Sequence, residues 1–159
     1  MKILIVSDTH GQDEFMWDVV ADEEPIDVFV HCGDIEHEID DLVEEMGCPC
    51  YICAGNNDFM CNIPEMVEFK LGKYKVLLLH GHHYNIYRDQ SALFYLAKEN
   101  EADIVMFGHL HEPIVKSEDG ITIVNPGSMT YPRQMGARPS YIIMTIGDGE
   151  EPKYEVRYI

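Results

Sequence analysis

Short apolar runs that each end in a glycine, a carboxylate or an amide constrain this chain more than any other feature. Lys2 to Ser7, Val28 to Cys32 and Cys50 to Ala54 are rich in β-branched or aromatic residues and break off into Asp, Gly or Asn, as strands do. Between them, Asp13 to Glu23 carries Phe15, Trp17, Val19 and Val20. Glu36 to Met46 carries Ile39, Leu42, Val43 and Met46. Each has the single apolar stripe of a surface helix. This βαβαβ order predicts parallel strands joined by right-handed crossovers.

Antiparallel signals follow. Val67 to Leu71 and Tyr74 to Leu79 flank Gly72-Lys73, and Ser140 to Ile146 and Lys153 to Ile159 flank Gly147-Asp148-Gly149, so both pairs read as hairpins. A helix over Asp89 to Asn100, with Leu93, Phe94 and Leu96 inward, precedes a strand at Ile104 to Phe107. There is no repeat, low-complexity tract or linker. The 159 residues are one domain, 1–159, since domains run to about 100 to 200 residues. The expected fold class is α/β (α+β), with two packed sheets and helices outside.

Charge narrows the function classes. With 29 Asp+Glu against 11 Lys+Arg, the net charge is -18. Nucleic acid is held by basic side chains that release counterions from phosphates, so a broad nucleic-acid face is excluded. A local phosphate site would need bound metal cations for its positive charge. No apolar run approaches the roughly 20 residues of a membrane span. The apolar start Ile3-Leu4-Ile5-Val6 breaks at once into Ser7-Asp8-Thr9-His10, which is no signal peptide and predicts a cytoplasmic protein.

Cys32, Cys48, Cys50, Cys53 and Cys61 are an odd number, which argues against a disulfide framework. Strand alternation sends Cys50 and Cys53 to opposite faces, against a thiolate metal site. Buried small hydrophobes are the expectation. An edge strand at Lys153 to Ile159 offers a route to a homo-oligomer.

The chemistry sits at the strand ends. Asp8 and His10 follow the first strand, Gly33-Asp34 the second and Gly55-Asn56-Asn57-Asp58 the third. His80-Gly81-His82 and Gly108-His109-Leu110-His111 follow two later strands. In open α/β sheets such loops converge on one crevice. Alone, each motif has an ordinary reading: a helix cap, a turn, a surface histidine pair. Their conjunction does not, because of eight histidines only His37 reads as an ordinary helix residue. His31, inside a strand, is either a satisfied core histidine or a partner to a ligand. Carboxylate, amide and imidazole donors without thiolate suit manganese, iron, nickel or zinc. Asp8, His10, Asp34, Asn56, His80, His109 and His111 exceed one ion's needs. Two ions about 3.5 to 4 Å apart, bridged by a carboxylate and a hydroxide, would use them all.

This ordered set resembles the calcineurin-like metallophosphoesterases. With Asn125-Pro126-Gly127-Ser128 and Pro132-Arg133 it is similar to the small uncapped YfcE-like phosphodiesterases, from Lys2 to about Ile146. The resemblance implies a four-layer α/β/β/α sandwich of two mixed sheets with two divalent metals at its edge, manganese foremost and nickel, iron or zinc as alternatives. It assigns one metal to Asp8, His10, Asp34 and His111, and the other to Asp34, Asn56, His80 and His109, with Asp34 bridging. It implies hydrolysis of small phosphodiesters by a metal-bridging hydroxide in an open, shallow cleft. The alternatives are a phosphomonoesterase or nucleotidase, or a noncatalytic scaffold like the retromer subunit of this fold. Nuclease relatives carry DNA-binding segments that this length cannot hold.

One position departs from the family. Where many members carry a substrate-touching histidine that protonates the leaving alkoxide, this chain has Asn57, which cannot act as an acid. General acid catalysis is worth about 100 to 10,000-fold, so activated aryl diesters are the expected good substrates. His82, two residues beyond a ligand position, or His83 is the candidate replacement. Arg133, one of four arginines, either clamps the substrate phosphate or forms a structural ion pair. Asn125 to Ser128 reads as a turn beneath the site, Asp58 as a residue orienting a loop or ligand, and Glu36 as a helix cap at the crevice border.

Overall fold

Alternation along the strands decides how this chain layers itself. The computed structural model describes residues 1–159. Its order is β1 (Lys2–Val6), α1 (Glu14–Glu23), β2 (Val28–His31), α2 (Asp40–Met46), β3 (Cys50–Ile52), β4 (Met66–Leu71) and β5 (Tyr74–Leu79). There follow α3 (Ser91–Glu99), β6 (Ile104–Met106), β7 (Pro113–Glu118), β8 (Ile121–Pro126), β9 (Ser140–Thr145) and β10 (Lys153–Tyr158). Two five-stranded sheets result, ordered β10-β9-β1-β2-β3 and β4-β5-β6-β8-β7.

In the first sheet β1 pairs parallel with β2, and β2 with β3, as the βαβαβ pattern requires. Ile3, Ile5, Val28 and Val30 point between the sheets, where they meet Val76, Leu78, Ile104 and Met106. Their neighbours Leu4, Val6 and Phe29 point outward onto Met16 and Val19 of α1 and Leu42 of α2. In the second sheet Leu77, Leu79 and Val105 point outward onto Leu93, Phe94 and Ala97 of α3. The layers are therefore helix, sheet, sheet, helix. Strands buried on both faces read as unbroken apolar runs rather than alternating ones.

Each fully buried Ile, Leu, Val or Phe contributes about 1.5 to 3 kcal/mol. Cys53 joins the layer between the sheets while Cys50 packs on the outer one, as alternation requires. All five cysteines are free thiols, and burial pushes the Cys32 and Cys53 thiols well above their ordinary range. No helix is long and apolar enough to cross a membrane.

Three local expectations are corrected. Helix α2 starts at Asp40 rather than Glu36, because Glu36 adopts a left-handed backbone (φ 67°) and His37 turns back to Asp13. Glu36 is thus no helix cap, and His37 no helix residue. The β7–β8 hairpin was not anticipated. Its signal was Asp119-Gly120, a two-residue turn with positive φ at both positions between two strand-like runs. Asn125 and Pro126 consequently end strand β8 rather than form a turn. Gly127 (φ 85°) and Ser128 lie beyond the ladder, and a Cβ on Gly127 would lie 2.1 Å from Ser140 Oγ.

The end of α1 is fixed by one buried acid. Glu23 is 5% exposed and receives Lys2 Nζ at 2.8 Å, Arg157 Nη1 at 2.5 Å and the Tyr141 hydroxyl at 2.9 Å. It thereby ties α1 to β1, β9 and β10. Glu23→Ala leaves three donors short of an acceptor and should lower stability in urea unfolding by about 1 to 3 kcal/mol. Glu155→Ala, which removes an exposed partner of the same Arg157, should change it by less than about 0.5 kcal/mol. Equal effects would refute this ranking.

Candidate metal centre

The loops that carry the donors are strained and are held by other backbone. Asp8, His10, Asp34, Glu36, His109 and His111 all have positive φ, between 48° and 68°. Non-glycine residues seldom adopt this conformation, at a cost of roughly 1 to 3 kcal/mol each.

The loop after β1 is laced to the loop after β2: Asp8 N donates to Gly33 O, His10 N to Asp34 O and Gly11 N to Ile35 O, at 2.9 to 3.0 Å. Ser128 Oγ donates to Asp8 O at 2.9 Å, Thr130 Oγ1 to Thr9 O at 2.8 Å and Asn125 Nδ2 to Gly108 O at 2.6 Å. The buried Asp58 carboxylate accepts four backbone N–H groups, from Asp34, Ile35, Glu36 and Gly55, at 2.7 to 2.9 Å. It orients the loop that delivers Asp34. Gly55 leaves room for this packing, since a Cβ there would lie 2.1 Å from Asp34 Oδ1.

Donor atoms of Asp8, His10, Asp34 and His111 all lie within 4.8 Å of one another. His111 Nε2 is 2.9 Å from Asp8 Oδ1, and His80 Nε2 is 3.4 Å from Asp34 Oδ2. His10 Nε2 is 3.9 Å from both carboxylates. Asp34, Asn56, Asn57, His109 and Arg133 join His10, His111 and Tyr131 in lining one hollow of about 200 Å³.

The outer nitrogen of every histidine in this cluster is already engaged. Nδ1 of His80 meets Cys32 O at 2.8 Å, Nδ1 of His111 meets Tyr131 O at 2.8 Å, and Nδ1 of His10 meets a Glu36 oxygen at 2.6 Å. For His109 it is Nε2 that meets the Tyr87 hydroxyl, at 2.9 Å. A carbonyl or carboxylate partner accepts only from N–H, so in the neutral rings of His10, His80 and His111 the inner nitrogen Nε2 carries a lone pair. The His10 and His111 inner nitrogens face each other at 3.5 Å, beside carboxylate oxygens.

Asp8 Oδ1 and His80 Nε2 are buried without a hydrogen-bond partner. Lone pairs converging in this way require a proton or a metal cation among them. Titration behaviour reflects the same demand. Burial alone would raise the Asp8 carboxyl, but His111 and His80 outweigh it and hold it below the usual range. Asp34 is likewise lowered, against burial, by His80 and the Asn57 donors. His80 is raised, because Asp34 and Asp8 outweigh its burial, while burial and the neighbouring His80 push His109 down to about 4.

Two sequence expectations meet a different arrangement. Asn57 donates its backbone N–H to Asp34 Oδ1 at 2.8 Å and its amide Nδ2 to Oδ2 at 2.7 Å, so its side chain clasps the carboxylate. His82 does not line the hollow with Arg133. Gly81 (φ 101°) turns the chain after His80, ending the same-face rule, and His82 borders an adjoining hollow with Glu65 and His83.

Arg133 is exposed and makes no ion pair, so the structural-pair alternative falls away. Glu36, Tyr87 and Tyr131, which engage ligand-type histidines, were missed as such. They lie on loops with no local pattern.

His31 is the core histidine of the two alternatives, bonded to neighbours of the ligand positions rather than to a ligand side chain. Gly33 N donates to its Nδ1 at 3.2 Å, and its Nε2 lies 3.3 Å from Thr9 Oγ1. Burial, against the charges of Asp58 and Asp8, pushes it from 6.5 down to about 4. The folded state therefore refuses a proton that the unfolded chain accepts. Its contribution is intact above about pH 6.5 and is lost as the pH falls from there toward 4. Relative to His31→Gln, which does not titrate, wild type should lose roughly 1 kcal/mol of unfolding free energy per pH unit in that window. Parallel stability curves for the two proteins would refute this.

Residues 1–149 match the family described as the calcineurin-like phosphoesterase superfamily domain. A probable metallophosphoesterase of Bacillus subtilis is 33% identical over 92% of this chain and 85% of its own. A phosphodiesterase of Methanocaldococcus jannaschii is 27% identical over 80% of this chain and 83% of its own. Among solved structures, a conserved protein from Streptococcus pneumoniae described as a predicted phosphoesterase superposes with TM-score 0.81 at 30% identity, covering 98% of this chain and 97% of that one. The zinc complex of Vps29 from Entamoeba histolytica shares the fold, with TM-score 0.78 at 22% identity over 99% of both chains. From the ordered donors at its strand ends to its layered sheets and these matches, the chain belongs to the calcineurin-like phosphoesterase superfamily.

Proposed function

We propose that this chain is a phosphodiesterase that hydrolyses small phosphodiesters with two divalent metal ions. The carrying observation is the set of inward imidazole lone pairs and buried carboxylates, in which Asp8 Oδ1 and His80 Nε2 have no hydrogen-bond partner. Asp8, His10, Asp34 and His111 would hold one ion. Asp34, Asn56, His80 and His109 would hold the other, and the oxygen and nitrogen donors suit manganese. When bound, such ions polarise phosphoryl oxygens and make hydroxide available near neutral pH.

The chain's own residues supply the rest. Arg133, on the wall of the hollow and free of acidic partners, offers two parallel N–H donors to phosphate oxygens. Asn57 steadies Asp34 and has no acidic proton for a departing alkoxide. His82 stands around the turn from the hollow. Leaving groups that depart as stable anions are therefore favoured. With a net charge of -18 the surface repels long polyanions, which favours small substrates.

The Vps29 likeness keeps a noncatalytic scaffold as the second reading. Against it stands the unpaired Arg133 beside a complete donor set, which a purely structural surface does not require. Two measurements decide. Manganese-loaded Asp34→Asn should lose about 100-fold or more in kcat/KM on a bis-aryl phosphate, the scale of removing one charge-stabilising group. Full activity without this carboxylate would overturn the proposed mechanism, and a metal-loaded wild type with no activity would favour the scaffold. Across diesters of rising leaving-group pKa, wild-type rates should fall steeply. Asn57→His should flatten the series and raise alkyl-diester turnover by up to about 100-fold. An unchanged alkyl rate would show that this position carries no acid role.

A further inference from the structure

The mouth of the β4–β5 hairpin holds a second group of donors, apart from the cluster above. Met66 pairs with Leu79, so Glu65 stands just before β4 where the chain leaves β5. Gly81 then reverses the backbone, with Tyr84 N donating to Gly81 O at 3.0 Å, and His82 and His83 swing back toward Glu65. Donor atoms of Glu65, His82 and His83 all lie within 4.8 Å of one another, beside a hollow of about 160 Å³.

From this geometry we infer a further divalent-metal site at Glu65, His82 and His83. The spacing fits an ion. Glu65 Oε2 and His83 Nε2 are 3.4 Å apart, and two donors about 2.1 Å from a tetrahedral zinc are separated by roughly that distance. His82 Nδ1 is shielded from solvent and has no hydrogen-bond partner, so its ring has an unused polar atom. The His82 and His83 rings lie 3.9 Å apart, already gathered on one side of the turn.

Glu65 and His83 have side chains 69% and 62% exposed, free to rotate inward, and leave the remaining coordination positions to water. Two imidazoles and one carboxylate select zinc, nickel, cobalt or copper over magnesium or calcium. An excess of 29 acidic over 11 basic side chains concentrates such cations at the surface. None of the three donors belongs to the proposed dinuclear centre. The His82 ring is 5.6 Å from the His80 ring, so the two sites share a wall but no donor.

The test uses the full chain and nickel or zinc alone. In equilibrium dialysis wild type should hold one equivalent more than Glu65→Gln/His83→Ala. The two single variants, each at an exposed position, should weaken that last equivalent by at least about 10-fold. During the same binding step the imidazole proton signals of His83, identified by their loss in His83→Ala, should shift or broaden. Equal stoichiometry in wild type and double variant overturns the inference, and so does an extra equivalent that leaves the His83 signals unmoved. If the dinuclear reading is the one at fault, the inner equivalents disappear from both proteins and the difference of one remains.

Discussion

Two carboxylates, Asp8 and Asp34, are almost wholly withdrawn from water, and the rest of this structure is arranged around that fact. A buried carboxylate survives only if positive charge or donors replace its lost hydration. Here the Ser7 hydroxyl donates to Asp8 and two Asn57 N–H groups donate to Asp34, while the surrounding imidazoles have their outer nitrogens tied to Cys32, Tyr131, Glu36 and Tyr87. Those ties fix which nitrogen faces inward. The result is a nest of lone pairs that favours a cation, in a chain whose overall charge is strongly negative.

Holding that nest requires backbone that would not persist elsewhere. Six non-glycine residues at the site adopt left-handed φ, and loops laced across from β1, β2 and β8 keep them there. Asp58 contributes most plainly, since one carboxylate gathers four amides of the loops bearing Asp34 and Gly55. The apolar layers above and below the sheets supply the stability that offsets this strain. Strain at the strand ends and tight packing behind them are two parts of one arrangement.

The fold by itself does not separate an enzyme from a scaffold, because function resides in the site rather than in the layers. The side chains that bear on it are the clustered donors and Arg133, which makes no ion pair, on the wall of one hollow. Asn57 adds a further particular. Its backbone N–H and its amide Nδ2 both donate to Asp34, one to each carboxylate oxygen.

Much of this was legible from the chain alone. Apolar runs at Lys2, Val28 and Tyr74 announced strands, and the residues just past them announced the donors, because strand patterns and strand-end loops are local properties written residue by residue. Only the tertiary structure could place Glu36 on His10, Tyr87 on His109 and Asn57 on Asp34, and turn His82 away toward Glu65. Those relations join segments distant in sequence through loops with no period. Their geometry is set by packing between layers and by single left-handed residues, neither of which leaves a pattern in neighbouring letters.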